Sequence, residues 1–186
     1  MQMPKNKPWK VLESEYLAHE PWFTVRKEKV LLPTGNIIPE YYIHEYPNWI
    51  NVIAITKEQQ FVFISQYRHA LGITAYELCA GVCEKEDETA LVSAKRELLE
   101  ETGYGNGKWS ELMVISANTS THTNLNYCYL ATDVELVSTQ HLDDTEDLSV
   151  HLLTLEEVKD LLLNDQIKQA LHAAPLWKYL AMNHLI

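Results

Sequence analysis

Gly81-Val82-Cys83-Glu84-Lys85-Glu86-Asp87-Glu88-Thr89-Ala90-Leu91-Val92-Ser93-Ala94-Lys95-Arg96-Glu97-Leu98-Leu99-Glu100-Glu101-Thr102-Gly103-Tyr104 is the stretch from which the rest of the chain is best read. Its second half predicts a helix over Thr89–Thr102, stopped by Gly103, the residue type that most readily takes the left-handed conformation past a helix end. Leu91, Ala94 and Leu98 recur at helical spacing and form one apolar face for packing. Glu97 lies three residues from Glu100 and four from Glu101, so the three carboxylates project from one side. Like charges crowded in this way repel. Taken alone they are either a solvated acidic face or the oxygen donors of a hard divalent cation, Mg²⁺ or Mn²⁺.

The residues around them decide between these readings. A glycine, a spacer, a glutamate, seven residues and then Arg-Glu-Leu-Leu-Glu-Glu-Thr-Gly-Tyr resembles the Nudix box. Each fixed residue type occurs at only about 5–10% in average sequences, so chance assembly of the set is remote. The box has five residues between its glycine and its first glutamate, whereas Gly81 and Glu88 enclose six. The extra residue is expected in the loop, because Glu88 keeps its seven-residue gap to Arg96. The resemblance implies that Glu97 and Glu101 are the principal metal ligands, that Glu100 assists, and that the Ala80 carbonyl is a further ligand. It makes Arg96 and Glu88 structural residues that orient the carboxylates. It also implies that Gly81 allows a close approach of loop and helix.

The resemblance continues outside the box. Gln66-Tyr67-Arg68-His69-Ala70-Leu71-Gly72, Tyr76-Glu77-Leu78-Cys79-Ala80-Gly81 and the late Asp144-Thr145-Glu146-Asp147-Leu148-Ser149-Val150-His151 are similar to segments of ADP-ribose pyrophosphatases, as is the N-terminal β-rich piece. That branch implies cleavage of a nucleoside diphosphate joined to a sugar into a nucleoside monophosphate and a sugar phosphate. It also implies a homodimer built through the N-terminal strands. Arg68, with Glu77 in the same segment, would face the substrate's phosphates or sugar, since a guanidinium suits bidentate phosphate binding; the alternative is a surface ion pair. The general base is expected from the late acidic loop, with Glu146 first and Asp144 second; the alternative is a solvated acidic turn. The branch tends to carry a proline about fifteen residues after the box. Ala117-Asn118-Thr119-Ser120-Thr121-His122-Thr123-Asn124 has none, which leaves ADP-ribose, another nucleoside diphosphate sugar or a different nucleotide open as substrate. A nucleotide sensor without catalysis is the competing reading of the same box, and an exposed acidic dimerisation module is a third. The intact Glu97, Glu100 and Glu101 favour the enzyme.

Away from the box, Phe23–Val30 and Ile37–Tyr46 read as strands, joined by the turn Pro33-Thr34-Gly35-Asn36, with Pro39 marking an edge. Trp9 and Trp22 in this piece are read either as packing residues or, for Trp22 in particular, as a surface that stacks on a flat base. Ile50–Thr56 and Phe61–Gln66 are strong strands, and a short one runs through Tyr76–Cys79 to stop at Gly81. Strands return at Glu111–Ser116, Leu125–Thr132 and Leu148–Leu153, followed by a helical tail from Leu155 with a break near Pro175. The order predicts an α+β fold, an α/β/α sandwich of helices on both faces of a mixed sheet over residues 46–186, with a small β-rich piece over residues 1–45.

The chain has 186 residues, 15 basic and 26 acidic, for a formal charge of −11, which argues against nonspecific nucleic-acid binding. A small anionic nucleotide stays compatible with that charge, because divalent cations reverse it locally. No apolar run is long enough for a membrane span, and Met1-Gln2-Met3-Pro4-Lys5 lacks the apolar core of a signal peptide. Cys79, Cys83 and Cys128, an odd set without a CxxC pair, fit a reducing cytoplasm better than a disulfide framework or a zinc site.

Overall fold

The computed structural model describes residues 7–186. The expectation about a signal peptide falls on Met1–Lys5 and lies outside them. Contacts divide the chain into two compact units, Met1–Tyr46 with Asn118–Asn124, and Pro47–Ala117 with Leu125–Ile186.

The first unit is an antiparallel sheet of β1 (Lys10–Glu20), β2 (Phe23–Leu31) and β3 (Ile37–Glu45) in that spatial order. β1 was not legible in the sequence. Its eleven residues are almost wholly exposed, so no burial alternation marks them, and their strand character comes from pairing with β2. Lys27 meets Glu15 at 2.6 Å and Lys29 meets Glu13 at 2.8 Å across the pair. Exposed contacts of this kind contribute little to stability, because water screens them. The β1–β2 turn places Trp22 at φ 66, a left-handed conformation that side chains rarely adopt, with the residue 73% exposed. Pro39 falls where the β2–β3 register slips, on an edge strand, where a missing N–H costs least. Residues 118–124, within the polar stretch that lacks the proline, are bound to β3. The His44 N–H donates to the Thr121 carbonyl at 2.7 Å, and the Thr123 N–H donates to the His44 carbonyl at 3.1 Å.

In the second unit, β4 (Trp49–Thr56), β5 (Phe61–Arg68), β6 (Ile73–Glu77), β7 (Cys79–Val82), β8 (Tyr104–Gly105), β9 (Lys108–Ile115), β10 (Asn126–Leu136) and β11 (Leu148–Leu153) form an eight-stranded sheet. The β4–β10 pair is parallel and the others are antiparallel, so the sheet is mixed. β4 is buried on both faces. Ile50, Val52 and Ala54 pack with Ala94 and Leu98 of α1 (Ala90–Thr102), while Ile53 and Ile55 pack with Val158 and Leu162 of α2 (Leu155–Leu163) and Leu176 and Leu180 of α3 (Ala170–Met182). This is the expected α/β/α arrangement. Each of the Val, Leu and Ile side chains contributes ~1.5–3 kcal/mol of burial. Among the described residues no helix is long and apolar enough to cross a membrane.

Two expectations need correction. The strand expected over Tyr76–Cys79 is two strands. β4 and β5 pair only at Ala54–Val62 and Ile55–Phe61 and then part; β6 continues along β5 and β7 along β4, with Leu78 at the crossover. Gly81 lies within β7 instead of ending it. Nor does the tail break at Pro175, which sits inside α3; the interruption is at residues 164–169. A proline cannot donate to the carbonyl four residues earlier. Here that carbonyl, of Leu171, accepts the Asn51 side-chain amide of β4 at 2.7 Å, so the helix runs on without an orphaned acceptor.

Candidate active site

Helix α1 begins and ends as its sequence directs. Thr89 stands at the N-cap in extended conformation and its hydroxyl accepts the Val92 N–H; Gly103 closes the helix at φ 74, with its N–H on the Leu99 carbonyl. Ala94 and Leu98 are fully buried against the sheet, and this fixes the rotation of the helix. Glu97 and Glu101 then fall on the flank next to β7, while Glu100 stays nearer solvent.

Glu101 is buried and accepts the Ala80 N–H at 3.1 Å. Burial pushes its carboxyl up to about 8; Cys79 and the Ala80 N–H oppose the shift by hydrogen bonding, and the charges of Glu97 and Glu146 add to it. Glu97 is raised by burial to about 7, opposed by Arg96 and reinforced by Glu100. Both groups are therefore held where their charged forms lack sufficient compensation. Arg96 supplies part of it, donating from Nη1 to Glu97 and Glu100 at 3.0 Å each and from Nη2 to the Val82 carbonyl at 3.2 Å. Gly81 in β7 faces the same group: a β-carbon there would overlap the Glu97 carboxyl.

The donors suit a hard divalent cation: Glu97 and Glu101 on one helix flank, both raised chiefly by burial, beside the peptide of Ala80. As placed, no three His, Cys, Asp or Glu side chains among the described residues are gathered tightly enough to enclose an ion. One carboxylate oxygen of Glu97 and one of Glu100 accept from Arg96 Nη1.

The other candidates are placed as follows. Arg68 of β5 and Glu77 of β6 form a two-point ion pair, Nε to Oε1 at 2.8 Å and Nη2 to Oε2, with the Glu77 carboxylate buried and the Arg68 side chain nearly half exposed. The alternative of an ion pair is thus present, and the guanidinium keeps a solvent-facing edge. Glu146 accepts the Asp143 N–H at 2.9 Å and so closes a turn, with Asp144 exposed within it. Trp22 belongs to the other unit. Arg96 meets Asp87 at 3.1 Å, while Glu88, the residue expected to act with it, is exposed one position later. Asp87, outside the residues expected from the sequence, stands at the end of a five-residue spacer counted from Gly81, and that spacing is the signal that points to it. Cys79, whose thiol bonds to Glu101, carried no sequence signal beyond its strand.

Comparison with known proteins agrees with this construction. A family model described as NUDIX domain matches residues 46–174, and one described as Nucleoside diphosphate sugar hydrolase N-terminal domain matches residues 9–44. The ADP-ribose pyrophosphatase of Bacillus subtilis (strain 168) is 28% identical over 167 residues, covering 87% of this chain and 89% of its own. The Methanol dehydrogenase activator of Bacillus methanolicus is 30% identical over 154 residues, covering 80% and 82%. A crystal structure of an ADP compounds hydrolase shares the fold, with a TM-score of 0.83 at 20% identity, over 99% of this chain and 100% of the other. The chain belongs to the Nudix family and is a Nudix hydrolase. Within the family it resembles the ADP-ribose pyrophosphatase branch, from its N-terminal sheet to its late acidic segment.

Proposed function

We propose that this hydrolase depends on Mg²⁺ or Mn²⁺ and cleaves a nucleoside diphosphate joined to a sugar, ADP-ribose or a near relative, into a nucleoside monophosphate and a sugar phosphate. The observation that carries the reading is the buried, mutually repelling pair Glu97 and Glu101 beside the Ala80 peptide, with Glu100 within reach. Glu97, Glu101, Glu100 and the Ala80 carbonyl would hold the cation. When bound, it would neutralise phosphoryl oxygens and make a water acidic enough to attack phosphorus. Arg96 restrains the carboxylates through Glu97, Glu100 and Asp87. Arg68, oriented by Glu77, binds the diphosphate through its exposed edge. Glu146, with Asp144 as second candidate, takes the proton from the attacking water.

The N-terminal piece of residues 1–45, whose described strands are β1, β2 and β3, serves in this reading as a homodimer contact, and residues 46–186 are the hydrolase domain. The apolar side chains that β1 exposes, Val11, Tyr16 and Leu17, support it. The free Cys79, Cys83 and Cys128 fit the cytoplasm. The test is hydrolysis of a panel of ADP-ribose, GDP-mannose, other nucleoside diphosphate sugars and nucleoside triphosphates, with Mg²⁺, with Mn²⁺ and with chelator. The expected result is metal-dependent release of nucleoside monophosphate from a diphosphate sugar. Binding without turnover across the panel would make the protein a sensor instead.

A further inference from the structure

The first turn of α3 is fixed to the sheet where β4 and β5 part, by two consecutive residues. The Leu171 carbonyl, released by Pro175, is held by Asn51 of β4. Beside it, the His172 imidazole accepts the Leu78 N–H at Nδ1, at 3.0 Å, with both residues buried. Leu78 is the crossover residue between β6 and β7 and has no ladder partner on either side. Its N–H would be orphaned without the ring, at a cost of about 1–3 kcal/mol. An accepting Nδ1 requires the neutral ring with its proton on Nε2, and burial holds His172 neutral by lowering it to about 4.

The peptide so held is short and carries much of the site. Glu77, one residue before Leu78, orients Arg68; Ala80, two residues after, donates to Glu101. We infer that His172 is a positioning residue of the active site, which through the Leu78 N–H sets the height of the Glu77–Ala80 crossover and thereby the placement of the Ala80 peptide against Glu101. It touches neither substrate nor cation. The inference rests on the metal-dependent reading above for the role of Ala80.

Asparagine can place an amide oxygen where His172 Nδ1 stands; leucine fills space without an acceptor. His172→Asn and His172→Leu are compared with wild type for Mn²⁺ affinity by electron paramagnetic resonance, for Leu78 amide exchange, and for kcat on ADP-ribose. The expected outcome is at least a tenfold loss of Mn²⁺ affinity and faster Leu78 exchange in His172→Leu, both restored to within about threefold in His172→Asn. Unchanged Mn²⁺ affinity in folded His172→Leu overturns the inference, as does an asparagine variant with protected Leu78 and leucine-like affinity. Should the leucine variant fail to fold, Mg²⁺ titration of the wild type decides: the Leu78 amide and His172 Nδ1 resonances move with binding, and if they stay fixed the inference falls. Mn²⁺ binding without hydrolysis of any substrate would sink the functional reading alone, leaving the affinity comparison to judge His172.

Discussion

Gly81 of β7 lies against Glu97 of α1, so closely that the space a β-carbon would take is already filled by the Glu97 carboxyl group. The contact joins the strand before the box to the helix within it. Gly81→Ala should therefore displace a carboxylate end and not backbone. The expected result is a fall in turnover of about a hundredfold, the scale of a roughly 1 Å misplacement, with stability changed by less than about 1 kcal/mol. Steady-state kinetics together with a thermal melt check it; wild-type turnover in Gly81→Ala would mean that Glu97 need not stay beside β7.

Glu97→Gln and Glu101→Gln should each lower metal-dependent turnover by on the order of 100-fold or more while the fold survives. In chelator, Glu101→Gln should melt no lower than wild type, because burial already disfavours the charged form of the Glu101 carboxyl and glutamine is a neutral replacement of the same shape. Adding Mg²⁺ should raise the wild-type melting temperature by mass action and leave Glu101→Gln nearly unmoved. Scanning calorimetry with and without Mg²⁺ reads both effects.

For the late loop, Glu146→Gln should reduce turnover strongly with little change in Mn²⁺ affinity, and Asp144→Asn should do so less. Glu146 also closes its own turn through the Asp143 N–H, so glutamine, which keeps an acceptor, is the fitting replacement. Full turnover in both variants would leave the box glutamates to supply the base.

Light scattering at micromolar concentration should report twice the 21.5 kDa of one chain. Leu17→Asp, on the exposed β1, should shift the mass toward a monomer. A monomeric wild type would count against the dimer.

The buried His172 predicts acid sensitivity. Its ring is lowered from 6.5 to about 4 by burial, with Glu77 opposing the shift and Arg68 adding to it. Between those two pH values the unfolded chain binds the proton and the folded chain does not, so stability is present above pH 6.5 and falls as pH drops toward 4. The loss by pH 4 is on the order of 3 kcal/mol. Urea unfolding across this range should show the slope in wild type and a shallower one in His172→Asn.

The sequence alone determined whatever is encoded by local spacing. Thr89 and Gly103 mark the ends of α1 because capping chemistry is local, and Leu91, Ala94 and Leu98 fix which flank Glu97, Glu100 and Glu101 share because helical period is local. The strands β4 and β5 were legible from their unbroken apolar runs. Only tertiary structure decided the rest. β1 exists by pairing and not by pattern. Pro175 stays helical because Asn51, more than a hundred residues away in sequence, supplies the missing donor. Asp87 and not Glu88 reaches Arg96, since the bend of the loop and not the residue type sets which carboxylate turns inward. Leu78 finds its acceptor on His172 because the sheet opens at that point. These are contacts between segments distant in sequence, and neither period nor propensity along the chain records which distant groups must satisfy one another.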